Sequence, residues 1–176
     1  SIDDSVLDEQ VMDNTVTLPR YTDGDGVQVI AVSVAGRTGG ARFYFTYTNS
    51  EGVSGRTSQI CYQNNAAALG TLQNSGANNN ASAMPFVGLQ AGDSGVRSID
   101  SVFMLDADVG LMTLVLVKPL GTSIIREITA PAEKDYFLES GTVPRIYDDA
   151  YLSFLCLPQG TLAATALMGD IKTIFT

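Results

Sequence analysis

The chain has 176 residues, 45% of them hydrophobic and 16% charged, with a formal net charge of −9 and no histidine. Such a length carries one domain with its own core, and such an apolar fraction excludes a disordered chain. The negative balance repels phosphate backbones and anionic lipid surfaces, so neither nucleic acid nor a membrane is an expected partner. Lacking histidine, the chain also lacks the side chain on which most hydrolase triads and zinc sites rest.

Residues 1–26 are acidic, with Asp3, Asp4, Asp8, Glu9, Asp13, Asp23 and Asp25 facing only Arg20. Val6, Leu7, Val11 and Met12 suffice for a turn or two of helix and no more. This stretch is expected to be an extended arm lying on its own body or on a neighbouring subunit. From Val27 the pattern becomes that of strands. Val27, Val29, Ala31 and Ser33 share one face of a β-branched run to Val34. Arg42 to Thr48 alternates, with Phe43, Phe45 and Tyr47 on one side. The Asn49-Ser50-Glu51-Gly52 turn then predicts a hairpin whose return strand covers Ser54 to Tyr62.

Residues 63–84 are small, polar and Asn/Ala-rich, including Asn65, Leu69, Leu72 and Asn79. A loop of this length within a domain is usually functional or disordered, and either another chain or its own domain could order it. Strand patterns resume at Val96–Leu105 and Leu111–Val117, and three more are expected at Ser123–Ile128, Tyr151–Leu157 and Leu162–Thr176, punctuated by Gly and Pro turns. Many short strands without helical crossovers predict an all-β fold, a jelly-roll-like β-sandwich over 27–176 carrying the 63–84 loop and preceded by the arm. The longest apolar run, Leu111–Val117, is too short to span a bilayer as a helix, and Ser1 to Asp4 has no signal-peptide character.

Several patterns resemble chemical motifs. Gly92-Asp93-Ser94-Gly95 looks like the segment around the nucleophilic serine of trypsin-like proteases, but without a histidine base it reads as a Gly-flanked turn. Asp23-Gly24-Asp25-Gly26 and Asp106-Ala107-Asp108-Val109-Gly110 space carboxylates as calcium loops do, lack the full ligand run, and suit ordinary turns between strands. Carboxylates alone could serve a glycosidase, yet nothing marks one pair and no Trp offers a sugar platform. Cys61 and Cys156 both sit in apolar strand-like runs and are expected as buried thiols, not a disulfide or metal site. Tyr47 reads as core, Tyr44 as an outer-face or interface residue, and Lys118 as a guard at a strand end. No enzyme activity and no cofactor are expected.

From about Gly95 onward the chain carries Arg97-Ser98-Ile99-Asp100-Ser101-Val102, Leu114-Val115-Leu116-Val117-Lys118-Pro119-Leu120, Ala130-Pro131-Ala132-Glu133-Lys134-Asp135-Tyr136, Pro144-Arg145-Ile146-Tyr147-Asp148-Asp149-Ala150-Tyr151-Leu152 and Gly169-Asp170-Ile171-Lys172-Thr173. Together these segments resemble the decoration, or cement, proteins of tailed bacteriophages. The resemblance covers less than half of the chain. It implies a virion structural protein, made in the host cytoplasm, that binds the outer surface of the major capsid protein shell as a trimer or dimer. Composition then suggests contact residues: Asp4, Leu7 and Val11 from the arm, Asn65, Leu69, Leu72 and Asn79 from the loop, and Arg20 and Arg145 as ion-pair partners. A β-sandwich recognition module, carbohydrate-binding or receptor-binding on a fibre or tail, is the alternative.

Overall fold

The computed structural model describes residues 1–12, 17–63, 69–73, 85–127, 130–141, 143–157 and 168–174. Nine strands form two antiparallel sheets among these residues: β1 (Ile2–Asp3), β2 (Gln10–Val11), β3 (Gln28–Ala35), β4 (Arg42–Asn49), β5 (Arg56–Thr57), β6 (Cys61–Tyr62), β7 (Leu72–Gln73), β8 (Val96–Met104) and β9 (Leu111–Val117). One sheet has the order β1-β9-β3-β7; the other runs β2-β8-β4-β5, with β6 also on β4. A single helical turn, α1 (Tyr136–Glu139), is capped by Asp135, whose carboxylate accepts from Phe137 N and Leu138 N. The protein is therefore all-β.

Alternation in the sequence sets the inward faces. Val29 and Ala31 of β3 with Met112 of β9 meet Phe43, Phe45 and Tyr47 of β4 and Val96, Ile99, Val102 and Met104 of β8 in one apolar core. The strand expected over Ser54–Tyr62 is broken into β5 and β6. Ser58 Oγ accepts from Phe45 N, and at the next residue the backbone turns to Gly88 O. The hydroxyl takes the place of a ladder carbonyl, so the chain changes partner there. The hairpin turn holds as expected. Asn49 Oδ1 accepts from Glu51 N and Val53 N, and Gly52 takes φ 81°.

The expected arm is part of the body. β1 pairs with β9 and β2 with β8, so the first twelve residues add a strand to each sheet. The Gln10 side chain ties the two together: its Oε1 accepts from Asp3 N and its Nε2 donates to Asp3 O, each at 2.8 Å. A primary amide thus copies a peptide pair between strands of different sheets. Within the 63–84 segment, β7 pairs with β3 at Ala31 and Val32.

The three strands expected after Val117 do not form where the structure describes the chain. Residues 121–127 and 151–157 are irregular and exposed, as are 168–174. Their composition is strand-like, but a strand needs a neighbouring edge to satisfy its backbone groups, and among the described residues no strand pairs with them.

Candidate interaction surface

Beyond β9, among the described residues, the chain leaves the core and meets the body again at residues 145–149. Lys118 Nζ donates to Asp25 O at 2.5 Å and lies 5.0 Å from the Tyr21 ring centroid. The Tyr21 ring meets that of Tyr147 edge-on, with centroids 5.5 Å apart, and its hydroxyl donates to Arg145 O. Arg145 stacks its guanidinium 4.7 Å from the Tyr147 centroid. Arg20 closes the group with a 2.8 Å ion pair to Asp149. The edge-on aromatic pair, the Tyr21 hydrogen bond and the Arg20 ion pair thus fasten residues 145–149 to the turn that precedes β3, while cation–π contacts steady each side, Lys118 on Tyr21 and Arg145 on Tyr147.

On either side of this latch the chain exposes large apolar side chains. Leu138 is 86% exposed, Tyr151 90%, Phe154 67% and Met168 90%, and Ile124, Ile125, Phe137, Ile171 and Ile174 are also exposed. Single exposed Leu or Val residues are ordinary on any surface. A succession of such residues along one extended segment is not, because each leaves apolar area in water that burial would favour by roughly 1.5–3 kcal/mol.

The contact residues proposed from composition fall in different places. Asp4 is a correction: it is fully buried, and its carboxylate lies 2.9 Å from Arg37 Nη2, itself fully buried. Gln63 Nε2 donates to the other carboxylate oxygen of Asp4. Burial pushes the Asp4 carboxyl above its ordinary value, against the pull of Arg37. An Asp at this position looks exposed by composition alone; only its pairing with an arginine 33 residues away reverses that. Leu7, Val11 and Leu69 are exposed on the body. Leu72 sits in β7, half-buried. Arg20 and Arg145 are engaged within their own chain in the latch. Asn65 and Asn79 lie outside the described residues.

Cys156 is a second correction. Cys61 is buried in the core, where desolvation pushes its thiol up to about 12, whereas Cys156 is exposed on the segment after the latch. Tyr44 stacks on Phe103 with ring centroids 4.9 Å apart. Lys118 belongs to the latch.

The acidic motifs resolve into turns. Asp106 binds Arg42, Asp108 accepts from Gly39 N, Val109 N and Thr38 Oγ1, and Asp23 accepts from Asp25 N. Among the described residues no three His, Cys, Asp or Glu side chains converge as metal ligands would. Asp93, from the serine-protease-like tetrad, is a structural hub. It accepts from Tyr47 Oη at 2.5 Å, Asn49 Nδ2 at 2.8 Å, and Arg56 Nε and Nη2 at 2.9 and 3.0 Å. The Arg56 guanidinium, then the Tyr47 and Asn49 donors, hold its carboxyl at about 2, below the usual 3.8. Burial and the facing carboxylate push Tyr47 up to about 12. The cleft beside it, about 330 Å³ and lined by Gln28, Phe86, Leu89, Gln90 and Asp93, therefore offers a carboxylate already fully hydrogen-bonded.

The latch is not legible in the sequence, because Tyr21, Lys118 and Tyr147 are far apart in the chain and no local pattern joins them. Nor is the exposure of Phe137, Leu138, Tyr151 and Phe154. For Tyr151 and Phe154 the strand-like composition is the available signal, and it points inward. Among the described residues no helix is long and apolar enough to cross a membrane. No family model matches this chain, and no curated protein or solved structure matches it either. What the fold and surface define is an all-β, two-sheet protein with an apolar segment held outside its core.

Proposed function

We propose that this is a non-enzymatic virion structural protein, a capsid decoration protein that binds the outer surface of a major capsid protein shell and stabilises it. The observation that carries this reading is the apolar segment beyond Val117, pinned at 145–149 yet exposed on both sides. Side chains such as Leu138, Tyr151 and Phe154 gain their burial from neighbouring polypeptide, which a shell lattice provides in many copies at once. The two-sheet body serves as the rigid platform, and we read it as a jelly-roll-like sandwich. Leu7, Val11 and Leu69 add exposed apolar contacts on that platform. The hydrogen-bonding capacity of Asp93 and the burial of Asp4 fit structural carboxylates, not a reacting pair.

The test is co-sedimentation of the purified protein with empty heads, followed by heating of the loaded heads. A decoration protein pellets with the shells at a fixed ratio per capsid subunit and raises their disruption temperature. Protein that stays in the supernatant while binding a defined glycan would instead place it among the recognition modules.

A further inference from the structure

We infer that the segment Tyr151–Leu157 is a strand donated to the open edge of β9 in a second copy of this chain. Both halves of such a contact are present in one molecule. β1 covers β9 at Leu111 and Met112 only, and Asp4 N reaches Gly110 O. Among the described residues no strand lies beside β9 on that side from Thr113 to Val117. Val115 on this stretch is exposed, while Leu114 and Leu116 pack on the core. An uncovered apolar edge of this kind is a template for another strand.

The donor has the matching character. Tyr151-Leu152-Ser153-Phe154-Leu155-Cys156-Leu157 contains no Gly, Pro or charge, and every one of these residues is exposed. The latch delivers it to the right place. Tyr147 packs on Tyr21, and Tyr21 also contacts Lys118, the residue that follows β9. The segment therefore departs from beside the end of β9 without lying on the β9 of its own body. Two copies related by a two-fold axis satisfy both donors and both edges in one closed contact.

The area is adequate for a stable association. Tyr151 and Phe154 carry roughly 150–250 Å² each. With three leucines and the covered edge counted for both copies, the exchange reaches the roughly 1,200–2,000 Å² of stable interfaces. The contact needs no capsid, so it stands or falls apart from the proposed function.

Light-scattering mass of the full chain on a sizing column tests it. The wild-type protein is expected at a multiple of 18.6 kDa. The full-length Tyr151→Asp/Phe154→Asp variant, altered only at exposed donor positions, is expected at one chain's mass. Val115→Lys, which charges the acceptor edge, is expected to do the same. Unchanged amide protection in β3, β4 and β8 would establish that both variants remain folded. A monomeric wild type overturns the inference, as does retention of the wild-type mass by either folded variant. A monomer that still loads onto heads removes this exchange and leaves the decoration reading intact. An oligomer that ignores heads does the opposite.

Discussion

The Asp93 carboxylate accepts from Tyr47, Asn49 and Arg56 at once, and each donor sits on the β4–β5 side of the second sheet. An unfolded aspartate protonates near 3.8, this one near 2. On acidification the unfolded chain takes up its proton first, so the stability contributed by Asp93 is complete above about pH 4. It falls as pH drops and is lost below about pH 2. Asp93→Ala leaves Arg56 and the buried Tyr47 hydroxyl without their acceptor and should cost about 3 kcal/mol in urea denaturation at pH 7. The same substitution should flatten the fall in stability between pH 4 and pH 2. At the opposite end of the core, Arg37→Ala strands the Asp4 carboxylate in the interior and should cost about 3–5 kcal/mol. Replacing both residues by apolar ones of similar size should cost less than that single change, because no charge is then left buried. Cys61 belongs to the same scale. With Cys156→Ser removing the exposed thiol, iodoacetamide should leave the native protein unlabelled at pH 8 and react only on unfolding.

At the scale of elements, the first twelve residues lie on their own body, one of the two placements expected of the arm, and pair into both sheets. Deleting 1–12 removes β1, β2, the Gln10 bridge and the Asp4 partner of Arg37, and should yield a chain without a cooperative thermal transition. A truncated protein that melts like the full chain would return this stretch to the status of an appendage. The turn 21–26 presses on the start of β8 in the same way. A Cβ at Gly24 would sit 2.6 Å from the Val96 carbonyl, and one at Gly95 would overlap the Gly24 carbonyl. Gly95→Ala should therefore cost several kcal/mol, although glycine needs no special φ there.

The elements also show what the sequence could reveal. Gln28–Ala35, Arg42–Asn49, Val96–Met104 and Leu111–Val117 were legible because each alternates against a core that the same chain completes. Ser123–Ile128 and Tyr151–Leu157 carry short apolar runs of strand-like composition as well. Among the described residues no strand pairs with them, and no local pattern separates an apolar run that finds an edge from one that does not. The latch and the Asp4–Arg37 pair were illegible for a related reason: both join residues whose types read as surface until their distant partners are known.

At the scale of the molecule, a two-sheet body stabilised by its own core carries a segment that the core leaves in water. The carboxylates of the motif-like turns are occupied structurally, with Asp93, Asp106 and Asp108 all hydrogen-bonded to neighbouring strands and loops. The surface feature still to be satisfied is apolar and extended, which suits association with other polypeptides more than turnover of a small molecule. The most direct check is hydrogen–deuterium exchange of the full chain, measured once at high dilution and once bound to capsid heads. Slowed exchange centred on residues 119–157, with β3, β4 and β8 protected alike in both states, is the expected result. Equal and rapid exchange of 119–157 in both states would contradict the claim that neighbouring chains cover it.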